Sequence, residues 1–234
     1  MGNSLQIETI FVPQGAEYEA VCRGLRGVNG VKPSVQAVPV GVQPLQRYLQ
    51  GLPEKPERAL LMGLCGSLNP RLAVGDVVLY QGCFYQDDLL LCAADLTTEI
   101  YSHIPQNVNF VKGLTSDRLI HSSTEKLHLA KTSGADVVDM EGFAACQLIP
   151  NLAILRVVSD DCQHDIPDLS HTISSDGKLQ YLPLFWQFIR QPVAASRLIR
   201  GSLIGLGVLE EVVRSLFGYS REQGTGNREQ GTGN

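Results

Sequence analysis

The chain has 234 residues, 44% of them hydrophobic and 18% charged, enough for one sizeable α/β core and short for two. That balance excludes a disordered or collagen-like polymer. A net charge of -5, with no run of Lys or Arg, argues against the basic surface that nucleic-acid phosphates require.

In chain order, residues 6–13 alternate apolar and polar side chains and predict a strand. Gln14-Gly15 turns it into a helix that runs through Leu25. A second strand is expected over 35–40 and a short helix over 45–52. Residues 58–64 form a largely apolar strand that ends in the turn Gly63-Leu64-Cys65-Gly66. Another strand, 76–80, is entered through Val74-Gly75, and no element is read between it and a strand over 110–115. Ser122-Ser123-Thr124-Glu125 fits a capping box, with Glu125 reaching back to the cap, and opens a helix to about Thr132. A strand over 135–140, a helix over 141–148 and a strand over 152–159 follow. The stretch 178–218 reads as mostly helical, broken by Pro183 and Pro192. The last fourteen residues write Arg-Glu-Gln-Gly-Thr-Gly-Asn twice, a polar repeat that cannot bury a core. The folded domain is therefore expected over 1–220, with a disordered tail over 221–234.

Apolar strands separated by helices predict a sheet buried on both faces, with ligands gathering at the carboxyl ends of the strands. Six cysteines, at 22, 65, 83, 92, 146 and 162, form no C-x-x-C pair and read as reduced, mostly buried thiols of a cytoplasmic protein. The start Met1-Gly2-Asn3-Ser4 lacks a signal core, and Gln6 stands where a myristoylation motif needs Ser or Thr. No apolar run reaches the ~18 residues of a membrane span. The segment Pro192 to Phe217 mixes Arg197, Arg200 and Arg214 with many aliphatic side chains. Such a helix packs on its own domain or a second subunit, or lies on a membrane surface. Gly201, Gly205 and Gly207 weaken it as a continuous helix.

Two acidic signals share one grammar. In Asp136-Val137-Val138-Asp139-Met140-Glu141 an apolar strand runs into a helix with Glu141 at the junction, where a carboxylate can accept hydrogen bonds from a vicinal diol such as a ribose. In Leu155-Arg156-Val157-Val158-Ser159-Asp160 a strand ends in Ser-Asp. Two carboxylates at strand ends suit glycosidic cleavage of a nucleoside, one holding the sugar and one managing the proton on the base. Each also has a plainer reading: Glu141 as a helix-start carboxylate favoured by the dipole, Asp160 as a cap or loop residue. Asp160, Asp161, Cys162, His164 and Asp165 look metal-like, but their spacing fits no defined site and a polar loop is the better reading. No dinucleotide, Walker or zinc-protease motif is present, so no cofactor or metal is implied.

Gly63 to Leu72 followed by Val74-Gly75-Asp76-Val77-Val78, Val138 to Ala145, and Arg156 to Asp160 together resemble the nucleoside phosphorylase and nucleosidase superfamily, in its motif order and over roughly residues 5 to 218. Leu155 to Pro167, Ser175-Asp176-Gly177-Lys178 and Arg190-Gln191-Pro192 resemble its hopanoid-associated phosphorylase branch, whose members are thought to release adenine from adenosylhopane. The resemblance implies an α/β/α sandwich with a twisted mixed sheet, no cofactor, a small-molecule nucleoside as partner, phosphate as a second partner if the reaction is phosphorolysis, and a homo-oligomer.

By motif match, Glu141 would chelate the ribose hydroxyls and Met140 would pack on the sugar. Asp160, with Ser159 beside it at the substrate, would hold the purine at N7 and supply its proton. That role needs an Asp that carries or shares a proton near neutral pH, which a desolvating pocket favours. The backbone at Gly63 and Gly66 can approach the ligand closely. Hydrolytic members place a water-activating Glu after the first strand; here counting favours Glu19, with Glu17 as the fallback. The chain departs from the family at Leu61 and Leu64, where phosphorolytic relatives carry Arg and Ser, and at Leu119, where a base-stacking aromatic is expected. Hydrolysis and phosphorolysis both stay open. The rival readings are a nucleoside-binding module without catalysis and a membrane-surface scaffold built on 192–217.

Overall fold

The computed structural model describes residues 5–28, 31–168 and 191–218. The expected tail over 221–234, the motif at Ser175 to Lys178, Pro183 and the start Met1 to Ser4 lie outside them.

Strands β1 (Thr9–Pro13), β2 (Ser34–Val38), β3 (Ala59–Ser67), β4 (Val77–Tyr85), β5 (Asp88–Leu91), β6 (Val108–Thr115), β7 (Val137–Asp139) and β8 (Leu152–Asp160) form one mixed sheet. β1 lies parallel between β2 and β3, and β5 continues from β4 as an antiparallel hairpin. The centre closes on itself. β3 pairs with β8, β8 with β4, β4 with β6, β6 with β7, and β7 returns to β3. β3 serves two partners along its length, and the register against β8 shifts between Cys65 and Gly66. A bulge of this kind bends the strand. Here it sets Gly66 opposite Asp160.

Alternation along each strand sorts side chains into two cores. Leu60 and Met62 of β3, with Ala153, Leu155 and Val157 of β8, face α1 (Ala16–Leu25), α3 (Ala94–His103) and the last helix, α6 (Pro192–Gly218). Ala59 and Leu61, with Leu152, Ile154 and Val158, face α2 (Val42–Gln50) and α5 (Gly142–Leu148). The fold is thus the expected α/β sandwich of a mixed sheet between helices. α4 (Ser123–Ser133) lies at one end, where Leu129 and Ala130 pack against a small third cluster.

Several local expectations change. The unread stretch 81–109 holds the β4–β5 hairpin and α3. The capping box is not used: Glu125 pairs with Arg118, and the Asp165 carboxylate accepts the Ser123 N–H at 2.7 Å instead. The last helix begins at Pro192, where the sequence predicts an interruption, since the first turn needs no N–H from it; what precedes Gln191 lies outside the described residues. α6 then runs unbroken through Gly201 and Gly205, because tight packing uses both. A Cβ on Gly201 would strike the Ser159 carbonyl, and one on Gly205 would come within 2.9 Å of Leu64 Cδ2. By length and composition α6 would also suffice to cross a membrane, with 22% of its most apolar window buried. The run-length reading of the sequence does not find it.

Candidate active site

The strand order brings the ends of β1, β3, β7 and β8 around one cavity of about 480 Å³. Glu17, Leu64, Gly66, Leu119, Met140, Glu141, Ser159 and Asp160 all line it, and Leu198, Ile199, Ser202 and Leu203 of α6 form one wall. The two carboxylates read from the sequence, Glu141 and Asp160, therefore share one hollow.

Glu141 stands at the start of α5 but does not cap it. Asp139 does that work, its Oδ1 accepting the Gly142 N–H at 3.1 Å. The Glu141 carboxylate turns to the cavity. Its Oε1 accepts the Gly41 N–H at 3.1 Å, and its Oε2 accepts from Arg156 Nη2 at 3.1 Å. Burial pushes its pKa up, and Arg156 restrains that rise. Each carboxylate oxygen has a second lone pair, so acceptor capacity remains for sugar hydroxyls.

Arg156 is fully buried in the middle of β8, on the face where its neighbours two residues away are Ile154 and Val158. Its Nη2 reaches both Asp139 Oδ2 and Glu141 Oε2 at 3.1 Å, while Nε and Nη1 have no hydrogen-bond partner among the described residues. Burial works against its charge, but Asp139 and Glu141 more than offset that and push the pKa up. Arg156 appears in the motifs quoted above without a role. The signal for one was visible: a single cation inside an otherwise apolar strand must be paired to be buried.

The choice of Glu19 over Glu17 is reversed. Glu19 is exposed on α1 and does not line the cavity. Glu17 does, and its Oε1 accepts the Leu64 N–H at 2.6 Å. Burial raises its pKa to about 7, against the opposing pull of Arg156 and the Leu64 N–H. Counting along a strand fails here because the first turn of a helix rotates each successive side chain by about 100°. Gly63 also needs correction: it is absent from the cavity wall. A Cβ there would strike Arg156 Nη1 and sit 2.6 Å from Glu17 Oε1, so its bareness serves those two side chains and not a ligand. Gly66 does reach the cavity, and a Cβ on it would lie 2.8 Å from Asp160 Oδ2.

The single Ser159 hydroxyl proton is shared between two acceptors, Asp160 Oδ1 at 2.9 Å and the Cys65 carbonyl at 3.2 Å. Asp160 Oδ2 accepts from Lys126 Nζ, a wholly buried ammonium from α4. The sequence reading treats Asp160 as set by desolvation alone; the structure gives it a countercharge. Nothing at position 126 of the sequence signals this, because Lys there reads as one more polar residue on a weakly amphipathic helix. The acidic loop that follows is held by its own backbone: Asp161 Oδ1 accepts the N–H groups of Gln163 and His164 at 2.8 and 2.9 Å.

Comparison with known proteins agrees with this geometry. A family model described as Phosphorylase superfamily matches residues 8–175. No curated protein matches the sequence. Among solved structures, the 5'-methylthioadenosine/S-adenosyl homocysteine nucleosidase of Helicobacter pylori, complexed with a pyrrolidine-based ligand, superposes with a TM-score of 0.65 at 14% identity, over 92% of this chain and 98% of its own. Futalosine hydrolase of the same organism gives 0.66 at 14% identity, over 91% and 97%. The 5'-methylthioadenosine nucleosidase of Arabidopsis thaliana gives 0.62 at 16% identity, over 92% and 95%. At such identities the likeness is one of fold.

Proposed function

Because the chain belongs to the Phosphorylase superfamily, we propose that it cleaves the N-glycosidic bond of a purine nucleoside, with water as the acceptor. The observation that carries the choice of water is the bond from the Leu64 N–H to Glu17 Oε1. A free backbone N–H facing the cavity is what an anion would seek; here Leu64 sits within β3 and an internal carboxylate already holds its N–H. Phosphate would meet Glu17 and the aliphatic Leu64 at this point. A carboxyl group with a pKa about 7 is instead suited to take a proton from water.

In this reading Glu141 receives the ribose hydroxyls and Met140 packs on the sugar. Asp160 holds the base through N7. As the bond from C1′ to the base lengthens, its electron pair moves to the purine and the sugar gains oxocarbenium character. Glu17 removes a proton from the attacking water, and the carboxylates nearby stabilise the developing charge. Arg156 stays behind Glu141 and fixes its orientation.

The finer reading is an adenosine-type nucleoside with a large apolar 5′ group, as in adenosylhopane. It is favoured by the aliphatic lining of Val40, Leu119, Ile120, Leu198, Ile199 and Leu203. Exposed Val193, Ile199, Leu203 and Ile204 beside Arg197 and Arg200 on α6 suit contact with an anionic membrane surface. The test is incubation with adenosine, methylthioadenosine and an adenosylated lipid, with and without phosphate, while free adenine is assayed. Release without phosphate is expected. Strict phosphate dependence would sink hydrolysis, and no base release from any substrate by folded protein would sink the enzyme reading. In that event Leu64 and Leu119 favour a binding module, which calorimetry would reveal as binding without turnover. Flotation with anionic liposomes, against an Arg197→Glu/Arg200→Glu variant that leaves the core face of α6 intact, tests the membrane contact.

A further inference from the structure

Lys126 has no part in the reaction as outlined, yet it is one of the largest fully buried side chains in the protein. Its Nζ donates to Asp160 Oδ2 and, at 2.8 Å, to the Asp161 carbonyl. Asp160 lines the cavity and Lys126 does not. The ammonium therefore lies on the far side of the acid from the substrate space. A pair whose only purpose was stability would be an expensive choice, because a buried ion pair is often no better than apolar side chains of similar volume. The Asp161 carbonyl contact could fix the loop after β8. It does not require that Asp160, the group facing the leaving base, be the second partner.

Building on the hydrolase reading above, we propose that Lys126 is the source of the proton that Asp160 passes to the leaving purine. The pair starts as ammonium and carboxylate. As the C1′–N9 bond breaks, its electron pair moves into the purine ring; the Lys126 Nζ proton crosses the hydrogen bond to Asp160, and the carboxylic acid so formed delivers a proton to N7. The products at this end are a neutral amine, a carboxylate and a neutral base; at the other end the water proton resides on Glu17. After product release, water in the cavity takes the proton from Glu17 and returns one to Lys126 through Asp160, since both carboxylates line that space. Lys126 touches no substrate atom and acts through Asp160, so it is a positioning and proton-supplying residue. The Ser159 hydroxyl on Oδ1 holds the carboxylate plane so that Oδ2 stays with Lys126.

The experiment compares adenosine with 4-nitrophenyl riboside, whose leaving group departs as a stable phenolate without protonation. Lys126→Met is expected to lose about 100-fold or more in kcat on adenosine, the scale of general acid catalysis, and less than about 10-fold on the nitrophenyl riboside. Asp160→Asn should show the same split. Lys126→Arg guards against misfolding: it keeps the charge and the pairing, but a guanidinium does not give up its proton, so it too should be slow on adenosine alone. Equal losses on both substrates would mark Lys126 as structural and overturn the proposal. Full adenosine activity in Lys126→Arg or Lys126→Met would also overturn it. Wild-type protein that cleaves neither of these ribosides nor an adenosylated lipid defeats the hydrolase reading, and this proposal falls with it; a wild type active on both ribosides, with equal losses in the variants, defeats the relay alone.

Discussion

The Glu17 carboxylate and the Leu64 backbone are joined by a 2.6 Å hydrogen bond from the first turn of α1 to the interior of β3, which continues as strand through the expected glycine turn to Ser67. It fixes a carboxylate that burial would otherwise neutralise at the point where strand ends and cavity meet. The α1 amino terminus adds a favourable dipole. The consequences can be measured.

Activity should fall as pH drops through about 7. Glu17 must be ionised to take a proton, and its pKa is raised to about 7. The acidic limb of kcat/KM is expected near that value in wild type and absent in Glu17→Gln, whose residual rate should be at least about 100-fold lower. Glu19→Gln should leave the limb in place. A limb that persists near 7 in Glu17→Gln would assign it to another group.

The same group makes folding pH-dependent in a known direction. Its pKa rises from 4.5 unfolded to about 7 folded, so the native state binds the extra proton. Its contribution to stability is fully present below 4.5, declines as pH rises through this window and is lost above 7. Glu17→Gln removes the cost of the buried charge. Urea unfolding should find it more stable than wild type by roughly 2–3 kcal/mol at pH 8, with the two converging near pH 4.5.

Arg156→Met should be severe. It strips the shared cation from Asp139 and Glu141, leaving two buried carboxylates without their partner. A loss of roughly 3–5 kcal/mol in urea unfolding is expected. Ile154→Val, on the same strand and the same face, should cost about 1 kcal/mol.

The glycines of α6 should separate by context. Gly201→Ala drives a methyl into the Ser159 carbonyl next to Asp160, and should destabilise the protein by roughly 1–3 kcal/mol and lower activity. Gly207 has nothing within 4 Å of its missing Cβ, so Gly207→Ala should raise stability by up to about 1 kcal/mol. Thermal melts of the two variants check this directly.

The alternation of apolar strands and helices, the strand end at Ser159-Asp160 and the junction at Glu141 were legible in the chain, because burial on a sheet imposes a local period of two and a charged residue at its end interrupts it. The order of the motifs was legible only through their resemblance to the superfamily. What the sequence could not state was which residues from distant elements share a space. Glu17 and Glu19 are equivalent in a string; only the rotation of α1 against β3 sends one into the cavity and the other to solvent. Lys126 is 34 positions from Asp160, and Gly63 serves Arg156, far along the chain on a neighbouring strand. Even α6, which seemed weakened by its glycines, is continuous because they meet the backbone of β8. Local periodicity wrote the elements; the closure of β3, β8, β4, β6 and β7 on one another decided which charges face each other, since pairing across a sheet has no counterpart in linear order.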